Sequence, residues 1–212
     1  MKKLIVLILT AIFCFAGCKK DQLVTDDLDM KESFVVLIDA AHGGRDPGAV
    51  SNSGRSEKEI VLSISKKLEK VLKQEGLRVE MTRKNDTFVS LQNRIQLSQK
   101  SGTDLLVCIH NNNSRDLTER GFTTFYQRQN QKSMKLDSLV HAEFNDLNLM
   151  PDKGGRDASF YILKESIAPA IIIDLGFLSN PDDEKLLTDL EFQSQFVVSL
   201  KEAILKYIDS LE

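Results

Sequence analysis

The chain has 212 residues, 42% of them apolar and 28% charged, with 11 Gly, 4 Pro and a formal net charge of −3. That composition excludes collagen-like and low-complexity chains, and the slight negative charge gives no electrostatic basis for binding nucleic acid. Three cysteines in a chain of this length do not make a disulfide scaffold.

The chain opens with Met1-Lys2-Lys3 and an apolar run from Leu4 to Gly17, LIVLILTAIFCFAG. A cationic start before a short apolar run is the pattern of a secretory signal. The run is shorter than the ~20 residues a spanning helix needs. It ends in Phe15-Ala16-Gly17-Cys18, which resembles a bacterial lipobox. The expectation is a signal peptide over residues 1–17 and a lipidated Cys18 that begins the mature chain. Two or three acyl chains on one cysteine hold a protein on a membrane stably. The expected location is the cell envelope, on a membrane and facing the periplasm. Residues 18–32 are polar, lack a period, and are expected to form a tether. Cys14 lies in the signal and Cys18 would carry lipid, so Cys108 is the one thiol of the domain and no intramolecular disulfide is expected.

Residues 33–212 carry regular patterning with no second linker. Six apolar runs predict strands: Phe34–Ala40, Arg78–Thr82, Leu105–His110, Gly121–Tyr126, Ser159–Leu163 and Ala170–Leu175. VVLID and AIIID are almost continuous Val/Ile/Leu, which suits central strands buried on both faces. Ile60, Ile64, Leu68, Val71 and Leu72 predict a helix from Glu57 to about Glu75, opened by a capping box in Ser56-Glu57-Lys58-Glu59 and ended by Gly76. Leu91 to Ser98 and Lys132 to Asn145 predict two more. Asn180-Pro181 caps a fourth, and Phe192 to Leu211 is the last. The order predicts a single α/β domain, with a twisted six-stranded, mostly parallel sheet and helices on both faces.

In open α/β sheets, sites form beyond the carboxyl ends of the strands. His42 follows strand one within AAHGG, and His110 ends strand three within VCIHNN. Glu57 opens the helix between them. Two neutral imidazoles and one carboxylate would make a catalytic zinc site with one position left for water. On spacing alone these remain three separate polar residues or one site. His141 and Cys108 are expected to be structural.

DAAHGGRDPGAV, SEKEI, LLVCIHNNN and PAIIIDLGFLSNPDDEKLL stand in that order, with Thr82-Arg83, Leu91 to Arg94 and GRDASFYIL between them. Together they resemble the zinc-dependent N-acetylmuramoyl-L-alanine amidases, the amidase-3 family. The resemblance implies that Zn2+ is held by His42, Glu57 and His110. It implies peptidoglycan as substrate, with zinc-activated water cleaving the amide between N-acetylmuramic acid and L-alanine. Asn112 and Arg156 fall near the implied cleft.

Two departures stand out. Ala40-Ala41 replaces the family's Pro-Gly before the histidine, which would strain the loop if that glycine needs a positive φ. The family's catalytic glutamate falls on Asp174, whose carboxylate reaches roughly 1.5 Å less far. The expected catalytic residue is therefore Asp174, in a hydrolase. The alternatives are a catalytically weakened, lipid-anchored wall-binding protein that keeps the zinc cleft, and a zinc peptidase acting on peptides alone.

Overall fold

The computed structural model describes residues 32–211. The expected signal peptide, the lipidated Cys18 and nearly all of the tether lie outside the described residues. Among those described, no helix is long and apolar enough to cross a membrane.

The fold begins with β1 (Val35–Ala40), every residue of which is buried. It continues through α1 (Glu57–Gln74), β2 (Arg78–Met81), α2 (Leu91–Ser101), β3 (Leu105–Asn112) and β4 (Phe122–Tyr126). Then come α3 (Gln131–Leu147), β5 (Asp152–Asp157), α4 (Tyr161–Glu165), β6 (Ala170–Phe177), α5 (Pro181–Thr188) and α6 (Leu190–Asp209). The six strands form one sheet in the order β2-β1-β3-β6-β4-β5. β2, β1, β3 and β6 run parallel, β4 is antiparallel to β6, and β5 is parallel to β4. This is the single six-stranded, mostly parallel α/β domain expected from the sequence.

Each face of the sheet has its own core. One face packs Val36, Ile38, Val107 and Ile173 against Ile64, Leu68, Phe196 and Leu200 of α1 and α6. The other packs Leu37, Leu106, Cys108 and Ile172 against Ile95 of α2 and Ile162 of α4. The period-2 alternation of strand side chains sorts neighbouring residues to the two faces.

Two local expectations need correction. Ser159–Leu163 is not a strand: Tyr161–Glu165 is a short helix, and the fifth strand is Asp152–Asp157, DKGGRD. That strand carries no apolar signal because it is an edge pairing only with β4, mostly exposed, and it is held by polar contacts. Nor does Ser56 close a capping box, since its side chain makes no cap hydrogen bond. The reason is local. The N–H groups of Glu57 and Lys58 already donate to the carbonyls of Ala49 and Pro47, at 2.8 and 3.2 Å. The first turn is capped by backbone, and the side chain is redundant.

Candidate metal centre

The loop after β1 sets the first candidate ligand. His42 has φ +60, one of two non-glycine residues with positive φ among the described residues. The strain expected at Ala41 therefore sits on the histidine itself. Such a conformation persists only where the surroundings enforce it, and two buried arginines do so. Arg83 donates to the carbonyls of Ala40 and Ala41 at 2.9 and 2.8 Å. Arg94 donates to Ala40 and His42 at 2.9 and 2.8 Å, and its charge pairs with buried Asp39.

His42 is oriented by a carboxylate. Its Nδ1 lies 2.9 Å from Asp46 Oδ2, while Nε2 faces Glu57 Oε1 at 3.1 Å. The same Glu57 oxygen lies 3.1 Å from His110 Nδ1 and accepts the Asn111 N–H at 2.9 Å. The other, Oε2, accepts the Ala49 N–H at 2.8 Å. Gly48 makes this packing possible. A Cβ there would come within 2.5 Å of Glu57 Oε2 and 2.6 Å of the His42 ring, at φ +66. The glycine of DPGAV is thus demanded by the site as well as by the turn.

Ligand-capable atoms of His42, Glu57 and His110 all lie within 4.8 Å of one another. Around a tetrahedral zinc with bonds of ~2.0–2.1 Å, ligand atoms stand about 3.3 Å apart. The two 3.1 Å separations match that spacing closely. The donor set, two imidazoles and one carboxylate, is one that catalytic zinc sites use.

The electrostatics are those of a cation site. Burial raises the Glu57 carboxyl, but hydrogen bonds to His110 and His42 overcome it and hold the group well below the usual carboxylate range. Burial lowers the His42 imidazole, yet Glu57 and Asp46 leave it raised overall. A cluster that competes for protons in this way also competes for a metal ion.

Asp174 lines the same pocket of about 330 Å³ as the three candidate ligands. It is the register partner of His110 on β3 and of Thr123 on β4. Burial and the Glu57 charge push its carboxyl up to about 6, against the opposing pull of His110, Arg156 and His42. Leu91, Phe125, Phe160 and Ile172 form an apolar wall beside it.

All four expected site residues thus meet in one cleft. Cys108 does not join them. It is fully buried in the core two residues before His110, and burial pushes its thiol well up. His141 lies elsewhere, between Asp152 and Thr124. Sequence reasoning missed Asp46, Arg83 and Arg94 as parts of the site. For Asp46 a signal was available: a carboxylate four residues after a candidate ligand in a tight loop.

The comparisons with known proteins point to one family. The family model described as N-acetylmuramoyl-L-alanine amidase, Amidase_3, matches residues 36–206. The "Probable cell wall amidase LytH" of Staphylococcus saprophyticus is 35% identical over 162 residues, covering 76% of this chain and 53% of that protein. The chain spans about half the length of the curated relatives it matches. A crystal structure of an N-acetylmuramoyl-L-alanine amidase from Clostridium difficile 630 superposes with a TM-score of 0.81 at 34% identity, covering 84% of this chain and 98% of that one. The catalytic domain of CwlV, an N-acetylmuramoyl-L-alanine amidase from Bacillus (Paenibacillus) polymyxa var. colistinus, gives 0.79 at 34%, covering 83% and 98%. With its fold, its motifs and 171 consecutive residues matched, the chain belongs to the N-acetylmuramoyl-L-alanine amidase family.

Proposed function

We propose that this protein is a zinc-dependent peptidoglycan hydrolase that cleaves the amide between N-acetylmuramic acid and the L-alanine of the stem peptide. The observation that carries this reading is the His42–Glu57–His110 cluster, with its 3.1 Å separations, opening onto the pocket that Asp174 lines. Family membership supplies the substrate.

His42, Glu57 and His110 would hold the ion, through His42 Nε2, a Glu57 oxygen and His110 Nδ1. Zinc bound there supplies Lewis acidity, which acidifies water and polarises a carbonyl. Asp46 fixes the His42 tautomer and turns Nε2 toward the cleft, as partners of metal-binding histidines do. Asp174 takes a proton from the attacking water and delivers it to the leaving amide nitrogen. A carboxyl near pKa 6 suits both halves of that task. It is mostly ionised at neutral pH, yet more basic than an exposed aspartate. The apolar wall of Leu91, Phe125, Phe160 and Ile172 limits water on one side of the reacting bond.

The second reading keeps the cleft without the chemistry. It is favoured by Asp174, which is one methylene shorter than the glutamate that the resemblance implies. Digestion of purified sacculi separates the two. Zinc-dependent release of stem peptides by the wild-type protein, lost in Asp174→Ala, is the expected result. No release at any zinc concentration would leave a wall-binding protein. Placement in the cell envelope rests on the lipobox-like Phe15–Cys18. Cys18→Ser is expected to abolish palmitate labelling and membrane retention.

A further inference from the structure

Beside the metal-binding pocket lies a second hollow of about 400 Å³, and its chemistry is different. It is lined by Asn112, Asn113, Thr123, Lys153 and Arg156 among others. The two hollows meet at the β4–β6 ladder, where Thr123 is paired in register with Asp174.

Arg156 projects toward this boundary. On β4, Phe125 is the register partner of both Ile172 on β6 and Arg156 on β5. Paired residues share a sheet face, and so do residues two apart along a strand. Arg156 therefore stands on the same face as Ile172, Asp174 and His110.

The hollow carries two cations, Lys153 and Arg156, and two carboxylates, Asp116 and Glu119. Lys153 pairs with Glu119. Asp116 accepts from the backbone and hydroxyl of Thr118, at 2.9 and 2.7 Å. Among the described residues, the Arg156 guanidinium has neither a hydrogen-bond nor an ion-pair partner. It is exposed, and its positive charge reaches Asp174.

The backbone around Arg156 is fixed. A Cβ on Gly155 would fall 2.3 Å from Asp137 Oδ2, so α3 packs directly on the strand there. Asp152 at the start of β5 is held by His141 Nδ1 at 2.8 Å. Asp157 Oδ1 accepts the Arg128 N–H at 2.9 Å. An unpaired guanidinium on an anchored edge strand is open to bidentate contact with a planar anion.

We propose that Arg156 and the hollow around it form the subsite for a carboxylate of the stem peptide, read at the second residue. This rests on the hydrolase reading above. Spacing supports the position. The second residue follows the alanine by ~3.3–3.6 Å of extended chain, and β5 lies two strand spacings, about 9–10 Å, from β6. The long arginine side chain covers the difference. The apolar wall of Leu91, Phe125, Phe160 and Ile172 offers a carboxylate no partner, so it does not compete for this group. The stem peptide then leaves the cleft over β4 and β5, and Arg156 is a specificity-determining residue.

The test compares two muropeptides that differ only at the second stem residue, with a free α-carboxylate in one and its amide in the other. kcat/KM is measured with zinc-supplemented protein, and binding of the two free stem peptides is measured by calorimetry. The wild type should favour the free carboxylate by roughly 10–100-fold, the range of one charge-assisted, bidentate contact. In Arg156→Gln that ratio should fall to about one, and Arg156→Lys should recover part of it. Retention of the full preference in Arg156→Gln, or no preference in the wild type, overturns the proposal. If both muropeptides are cut equally, the subsite is wrong and the hydrolase reading stands. If neither is cut but the peptides still bind with an Arg156-dependent preference, the subsite stands and the hydrolase reading falls.

Discussion

Arg94 donates to the carbonyl oxygen of His42 at 2.8 Å while its guanidinium pairs with the Asp39 carboxylate beneath. The His42 backbone, held at positive φ, is thereby tied to a buried ion pair whose side chains are 4% and 2% exposed. Removing one member of such a pair leaves an uncompensated charge, typically worth about 3–5 kcal/mol. Arg94→Met should therefore lower stability by that order in urea melts. It should also weaken zinc binding, because the His42 backbone is released. A stability loss with unchanged zinc affinity would show that the clamp has no part in the metal site.

Asp46 offers a milder perturbation. Its carboxylate touches His42 Nδ1 and the Gly48 N–H, and no other ligand. Carboxylates in that position typically tune metal affinity by about 10–100-fold. Asp46→Asn should weaken zinc binding by that factor in a chelator competition, with the fold unchanged by circular dichroism. Unaltered affinity would mean that the His42 tautomer is set by something else.

Asp174 should behave oppositely for stability and for activity. Its carboxyl is raised to about 6 in the fold, above the ordinary aspartate value of 3.8. Between those values the folded state holds the extra proton, so stability falls as pH rises through that window. At ~1.36 kcal/mol per unit the cost approaches 3 kcal/mol at neutral pH in the metal-free protein. Metal-free Asp174→Asn should accordingly melt at higher temperature than wild type at pH 7, with the gap closing below pH 4.

Activity should move the other way. Asp174→Ala is expected to lose at least ~10²-fold in kcat, as for a removed general base. The wild-type rate should fall as pH drops through the Asp174 pKa. A bound dication draws that pKa lower, so the acid limb should lie at or below about 6. Asp174→Glu reports the dimensions of the site. Lower activity would mean a cleft contracted around the shorter side chain, and higher activity a cleft that kept room for glutamate.

His141 sits in a network that favours its charged form. Thr124 Oγ1 donates to Asp137, so it accepts from His141 Nε2, while Nδ1 faces Asp152 at 2.8 Å. Burial lowers the imidazole, but the Asp137 carboxylate, 3.6 Å from Nε2, and the hydrogen bond to Asp152 leave it raised above 6.5 overall. The resulting stability is complete below pH 6.5 and is lost as pH rises through the folded-state value. His141→Gln should therefore be less stable than wild type at pH 6, and the difference should narrow at pH 8.5. A gap independent of pH would mean that the imidazole acts only by packing.

Which parts were legible beforehand follows from how each is encoded. β1 and β6 are continuous apolar strings, and burial on both faces of a parallel sheet requires that. Asn180-Pro181 signals its helix because capping involves only neighbours in the chain, and Asn180 does accept from the N–H groups of Asp182 and Asp183. His42, Glu57, His110 and Asp174 stand out as polar residues interrupting apolar patterns.

By itself, the sequence determined the family, the fold class, the central strands and the four residues that meet in the cleft. These are written in local periodicity and in short motifs. Only the tertiary structure decided where the fifth strand lies, that Arg83 and Arg94 hold the His42 turn, and that Arg156 stands unpaired on the face that carries Asp174. The physical reason is the same in each case. An edge strand needs no apolar face, and the chosen partner of a buried or exposed arginine is set by contacts across tens of residues. No local spacing records such a contact.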